Sequence, residues 1–480
     1  MKRGLSGCMA IAMLLTGCGG DGTGAIASSG GSGGGSSPTP TSAAGCSLRE
    51  RQDWVAAQVR EWYLFPDTLP TSLDPSGYTT VDAYLDALTA TARAQGKDRY
   101  FSYLTSIAQE NAYNASGATA GFGIRLSLDT SAGARLYVTE AFENGPALAA
   151  GIDRGTEITA IGTSSSNLVT VTDLYAQGGT ALNDALGPST AGTVRYLQVR
   201  DANGTRTVAV TKTDFNLAAV SPRYGAQIIT DAGQQYGYIN LRTFISAADQ
   251  SLRDAFARFR AAGITQVVID FRYNGGGALS TAELMGDLLG ANRSTSEVFD
   301  YVTFRPEKAS NNTTRFFQPQ PQSIAPTRLA FIGTGSTASA SELVINAMIP
   351  YLHANVGLIG TNTYGKPVGQ IALDRSQCDD RLRLIALAIQ NANRQGGYYT
   401  GLAGTVEASC RAGDDIRYPM GDPREASTRA ALDFLQGKSC TRITASTGTG
   451  VNAQAAGGRV SLTPSARDAS PAQHDVPGLF

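Results

Sequence analysis

GSTASASELVINAM, residues 335–348, is the stretch on which the reading of this chain turns. A loop of small hydroxyl residues runs into an apolar helical segment, with Ser336, Ser339 and Ser341 at the junction. A serine placed there has its hydroxyl at the end of a sheet, where a helix N-terminus stabilises nearby negative charge. Serine is also a preferred helix N-cap, so position alone does not make it a nucleophile. A nucleophilic serine needs a base, commonly histidine. The chain has two, His353 and His474. His353 follows the same short helix, about 15 Å or more from its first turn, and His474 lies in a tail that reads as disordered. Lysine remains, at Lys97, Lys212, Lys308, Lys366 and Lys438 beyond the N-terminal segment. Lys366 sits in TYGKPVGQ, residues 363–370, an apolar, glycine-rich setting without a close acidic neighbour. Desolvation there lowers a lysine pKa, and a neutral amine can act as base near pH 7.

The 480 residues suggest two to three domains; 42% are apolar, 16% charged, and the net charge is −1. That balance, with no basic run, excludes nucleic acid as the main partner. Residues 1–18 read as a targeting segment: Lys2 and Arg3, a short apolar core, then Leu15-Thr-Gly-Cys18. The core is too short to span a bilayer as a mature helix. The closing tetrad resembles a bacterial lipobox, which makes Cys18 the lipid-bearing residue of an exported protein. Residues 19–45 are almost all Gly, Ser, Thr, Ala and Pro and form a tether, its ends on the order of 30 Å apart. Four cysteines follow, Cys46, Cys378, Cys410 and Cys440. An even number in an exported chain implies disulfides. Of the three pairings, Cys378–Cys410 and Cys46–Cys440 are favoured, the first by proximity in the chain and the second as a tie between the ends of the folded body. No CxxC or nearby histidine gives metal-ligand spacing, so no metal and no cofactor are expected.

The apolar pattern divides the chain. Residues 46–117 carry helical spacing at Trp54, Val55, Val59 and Trp62 and again at Tyr84, Leu85, Leu88 and Ala92. Residues 118–214 hold short strand-like runs, with a hairpin signal at Asp201-Ala-Asn-Gly204. Residues 215–440 alternate strands (236–241, 266–271, 329–332, 356–360) with helices (247–262, 341–349, the last stopping at Pro350), an α/β core. Residues 441–480 return to small polar composition and are expected to be disordered.

Ser341-Glu342, followed 25 residues later by Gly-Lys366 and then Gln370, resembles the carboxyl-terminal (tail-specific) processing proteases of family S41. The resemblance implies Ser341 as nucleophile, Lys366 as general base and Gln370 as the residue that orients the lysine. Residues 267–277, VVIDFRYNGGG, are similar to the family's strand and oxyanion loop. They imply oxyanion donors at Gly276 or Gly277 and at the N–H of Glu342. Gly275 replaces the usual proline, and Pro367 follows the lysine where glycine is usual. GFGI at Gly121, Phe122, Gly123 and Ile124, with NGPALAAGI at 144–152, resembles a PDZ domain, whose glycine loop would receive a peptide's C-terminal carboxylate. The fold class implied is multidomain α/β: a helical N-terminal region, a PDZ-like β-rich domain and a ClpP/crotonase-like peptidase core.

The expected activity is therefore serine endopeptidase action on polypeptides with accessible C-termini. The chain would be lipid-anchored to a bacterial membrane, on the outer-membrane side facing the periplasm or cell surface, with an adaptor or activating protein as a further possible partner. A catalytically silent peptide-binding adaptor is the alternative. Another acyl-transfer enzyme on a similar core is the third reading, although it leaves the PDZ-like segment without a role.

Overall fold

Successive residues of the central strands point to opposite faces, and both faces are apolar, so these strands must be covered on both sides. Val267, Ile269, Leu329, Phe331, Val356 and Leu358 enter one core, while Val268, Ala330, Ile332 and Ile359 enter another. In the computed structural model, which describes residues 44–444, 459–465 and 468–480, these strands form a six-stranded sheet. Its order is Gln227–Asp231, Gln234–Asn240, Gln266–Asp270, Arg328–Gly333, Val356–Gly360 and Ala408–Arg411. The first pair is antiparallel and the rest are parallel. Helices Asp249–Ala261, Leu279–Leu288 and Ala340–Leu352 cover one face, and Ala426–Leu435 the other. Cys18, the targeting segment and the linker up to residue 43 lie outside the described residues.

The N-terminal helix Leu48–Trp62 opens on a capping box between Ser47 and Glu50. With Val81–Ala94 it packs against a second sheet through Val55, Val59, Tyr84, Leu85 and Leu88, meeting Val368, Leu382 and Leu384. That sheet pairs Tyr103–Ser106, Val368–Arg375 and Val298–Phe304 with the long strand Asp380–Gln390. The β-rich region forms a sheet from Ile124–Asp129 to Gly204–Thr211 around Phe122, Ile124, Leu126, Leu136, Val138 and Leu197.

Three expectations are corrected. The disulfides are Cys46–Cys378 and Cys410–Cys440. Arg51, one turn into the first helix, pairs with Asp380 and brings Cys46 beside Cys378. Arg411 N–H donates to Thr441 O at 2.7 Å and brings Cys440 beside the sheet edge. The helix from Ala340 runs through Pro350 to Leu352. Pro350 has no N–H for the Asn346 carbonyl, and Asn391 Nδ2 donates to it instead at 3.2 Å. Finally, the described part of the 441–480 tail is folded. Arg459–Ser461 adds to the Ile124–Asp129 strand, and Pro471–Asp475 forms a short helix. The small polar composition misled because, among the described residues, Val476, Leu479 and Phe480 are buried in cores.

Charge fixes the β-rich region to the core. Arg242 reaches Glu140 (2.7 Å) and Glu143 (2.8 Å), and Arg154 reaches Asp414 (2.6 Å). Arg272, fully buried, holds Asp270 (2.8 Å), Asp414 (3.0 Å) and Glu425 (2.9 Å). Removing that guanidinium leaves three carboxylates without their shared cation. Arg272→Met is expected to lower stability by about 3–5 kcal/mol, read as a fall in the urea midpoint; an unchanged midpoint would contradict this account.

Candidate active site

The turn between strand Arg328–Gly333 and helix Ala340–Leu352 forces one residue into an unusual conformation. Ser339 has φ 55° and ψ −114°. A non-glycine residue there costs of order 1–3 kcal/mol and persists only where its surroundings impose it. Gly276 is one such surrounding: a Cβ on it would come within 2.7 Å of Ser339 Cβ. The turn leaves the Ser339 side chain lining a small cavity of about 130 Å³ with Lys366, Gln370 and Gly277.

The expected nucleophile, Ser341, is not in that cavity. It is fully buried, and its hydroxyl donates to Asn274 O at 3.1 Å. It shares the helix face of Val344, Ile345 and Met348, all buried, and that spacing was the available signal for a core-facing role. Of the two serines, Ser339 lines the cavity with Lys366 and Ser341 does not. Ser336 shares a hydrogen bond with Ser461 (2.9 Å) outside the cavity.

Lys366 and Gln370 do come together. Lys366 Nζ donates to Gln370 Oε1 at 3.1 Å, and Gln370 Nε2 is anchored on Phe101 O. Burial pulls the Lys366 pKa down to about 8, against the opposing pull of Asp475 and Asp98. Its loop is also braced from the N-terminal region, where Arg99 donates to the carbonyls of Tyr364 and Gly365. Spacing in the sequence does not show this contact, because the partners of Arg99 are backbone atoms more than 260 positions away.

Glu342 does something other than expected. Its carboxylate is fully buried and accepts from Thr363 Oγ1 (2.6 Å), Gly365 N–H (2.7 Å), Lys366 N–H (2.7 Å) and Ser339 N–H (3.0 Å). One side chain therefore fixes both the serine turn and the lysine loop. Burial raises its pKa above the ordinary value, and the four donors oppose that rise. With the turn at Ser339, the following N–H belongs to Ala340, a first-turn donor without an acceptor in its own helix. Gly276 (φ 115°) faces the same turn, and Gly277 (φ 132°) packs on the Phe244 carbonyl and lines the cavity. Gly276 N–H is taken by Asn274 Oδ1 at 2.9 Å, while Gly277 N–H has no partner among the described residues.

Of the two histidines, His353 lies where its sequence position put it, and His474 does not. His353 is exposed and pairs with Glu407 at 3.0 Å, beyond the far end of the helix. His474, from the folded tail, stacks on Tyr103 with ring centres 3.7 Å apart. Burial, and then the Lys366 charge, push its pKa down to about 3. The glycine loop at Gly121, Phe122, Gly123 and Ile124 is occupied by the chain's own end: Ile124 N–H donates to Phe480 O at 3.2 Å.

Comparison with known proteins fits this geometry. Residues 235–402 match the model of peptidase family S41, and residues 50–103 that of the peptidase S41 N-terminal domain. The chain is 27% identical over 267 residues to the chloroplastic C-terminal processing peptidase of Tetradesmus obliquus, covering 54% of each protein. It is 26% identical over 254 residues to carboxyl-terminal-processing peptidase 2 of Arabidopsis thaliana, covering 52% of this chain and 46% of that protein. The chain thus spans about half the length of the curated relatives it matches. A protein of Bacteroides fragilis NCTC 9343 described as an S41 protease superposes with a TM-score of 0.61 at 22% identity, covering 80% of this chain and 97% of that one, a likeness of fold. Residues 50–103 and 235–402 are thus similar to the N-terminal and peptidase domains of peptidase family S41.

Proposed function

We propose that this chain is a serine endopeptidase in which Ser339 is the nucleophile and Lys366 the general base. The observation that carries the reading is the single cavity shared by Ser339, Lys366, Gln370 and Gly277. Neutral Lys366 takes the Ser339 Oγ proton as Oγ bonds to the scissile carbonyl carbon. The oxyanion accepts from the Gly277 and Ala340 N–H groups. The lysine ammonium passes its proton to the departing amine, leaving an ester on Ser339. Water then attacks the ester, giving its proton to Lys366, and Oγ leaves with that proton restored. Gln370 holds the lysine in place. The two curated relatives are named as C-terminal processing peptidases, which supports polypeptide tails as the substrate class here. The β-rich region would then present them as a PDZ domain does, by strand addition at the 121–124 loop. Lipid attachment at Cys18, holding the body near a bacterial membrane, is part of the same proposal; radiolabelled palmitate incorporation that persists in Cys18→Ser would remove it.

Three outcomes test the chemistry with casein as substrate. Ser339→Ala should lower cleavage by about 10⁴-fold or more. Ser341→Ala, which loses one buried hydrogen bond worth about 1 kcal/mol, should stay within a few-fold of wild type. The reverse pattern would return the nucleophile to Ser341. Because only the neutral amine accepts the proton, the wild-type rate should be low below the Lys366 pKa and rise with pH through about 8. A flat profile from about pH 6 to 10 would exclude lysine as base. Glu342→Gln places an NH₂ donor against N–H donors; it should cost about 1–3 kcal/mol of stability and depress kcat more than KM. A normal kcat would mean that the clamp does not position the pair.

A further inference from the structure

The last residues of the chain occupy both places that a peptide substrate would need. One edge of strand Ile124–Asp129 is taken by Arg135–Ala141, and the other pairs twice with the tail. Arg459–Ser461 lies antiparallel to it, and Leu462 N–H donates to Leu126 O at 3.0 Å. The chain then leaves the edge and returns at its end. Leu126 N–H donates to Gly478 O (2.8 Å), and Phe480 N–H donates to Ile124 O (2.9 Å). The Phe480 ring is buried in the β-rich core with Phe122 and Ile124. Its terminal carbonyl carbon would lie 2.8 Å from a Cβ at Gly121, so that loop admits the chain end only as glycine.

Between these two pinned points the tail enters the catalytic cavity. Pro471 and Asp475 line it beside Ser339 and Lys366. Asp475 O accepts from Gly275 N–H at 2.8 Å, on the loop that leads to Gly277. His474 stacks on Tyr103, and Arg125 donates to Pro477 O at 2.7 Å. The segment is helical, with Val476 N–H donating to Ala472 O (2.8 Å), and Gln473 Nε2 ties it to Leu479 O (2.8 Å). A scissile segment must be extended to give its carbonyl to the oxyanion donors; this one gives its Ala472 carbonyl to its own Val476 N–H and its Asp475 carbonyl to Gly275, not to Gly277 or Ala340. The Asp475 carboxyl also favours the protonated lysine, the form that cannot act as base.

We propose that the segment described over residues 459–465 and 468–480 is a built-in competitive ligand: Gly478–Phe480 pairs along strand Ile124–Asp129 at the 121–124 loop, and the Pro471–Asp475 helix occludes the Ser339–Lys366 cavity. The full chain rests inhibited. It is opened by a polypeptide with a free carboxylate and a large apolar last residue that displaces Leu479 and Phe480. Occupancy of the groove stands apart from the peptidase reading; only the effect on turnover rests on it. A tethered ligand acts at an effective concentration in the millimolar range, so one of micromolar affinity weakens competitors by on the order of 10³-fold.

The test uses the full chain, a form lacking residues 478–480, and Phe480→Asp. The probe is a fluorescein-labelled DVPGLF peptide with a free C-terminus, followed by anisotropy, with casein cleavage measured alongside. Both altered forms should bind the probe at least about 100-fold tighter than wild type and cleave casein at least about tenfold faster. Equal probe binding by all three forms, or none by any, overturns the proposal. Tighter binding without faster cleavage overturns inhibition where wild type is active. Tight binding by the altered forms with no cleavage by any supports tail occupancy and sinks the peptidase reading instead. Two different alterations guard against a folding defect in either.

Discussion

The arrangement of the site depends on one buried carboxylate. Glu342 accepts four hydrogen bonds, one from the serine turn and three from the lysine loop. Those segments come from opposite ends of strand Val356–Gly360 and its preceding helix, and nothing in local propensity would hold them together. A buried carboxylate without donors would be strongly unfavourable, so the clamp works only when all four groups are in register. That requirement makes the strained Ser339 backbone tolerable. Its N–H is bound by the side chain three residues ahead, in the first turn of the helix the strain initiates.

A second set of buried charges relates the peptide groove to the cavity. Arg125 and Glu140 lie on neighbouring strands of the β-rich sheet; Glu140 also binds Arg242 of the core. Arg125 further donates to Tyr273 O, just ahead of the oxyanion loop, and to Pro477 O of the tail. Such ion pairs contribute little net stability against an apolar replacement. They do specify one docking geometry, since a shifted interface would leave a buried guanidinium without its carboxylate. The loop at Gly277 and the groove at 121–124 are therefore held at a fixed offset, as a peptide that spans both must be.

The strand and helix pattern of the core was legible because burial on both faces writes continuous apolar runs such as Val267–Val268–Ile269. Lys366 and Gln370 were legible because they lie four positions apart on one loop and strand, where local geometry alone brings them together. Which serine lines the cavity was not, because Ser339 and Ser341 are chemically alike and differ only in which side of a turn they face. Their placement follows from the positive φ at Ser339 and the Asn274 carbonyl that receives Ser341. The disulfide pairing was equally out of reach: Cys46 and Cys378 are 332 positions apart and meet through a sheet that neither belongs to by pattern. The tail was misread for a compositional reason. Its average is small and polar, but Val476, Leu479 and Phe480 are spaced to enter a core supplied by the rest of the chain.

That last point carries a physical consequence for any enzyme built this way. A strand edge open to an extended segment meets any such segment of its own chain at high local concentration. Here Gly478-Leu479-Phe480 pairs with Ile124 and Leu126 and fills that edge. Filling it with an extended strand throughout would carry the tail into the cavity as a substrate. The segment at Pro471–Asp475 avoids that by folding into a capped helical turn, with the Ser470 and Gln473 pair closing its start. Its backbone is held by Val476 N–H on Ala472 O and by Gly275 N–H on Asp475 O, and it brings the Asp475 carboxylate to the cavity, so the same tail fills both the strand edge and the cavity.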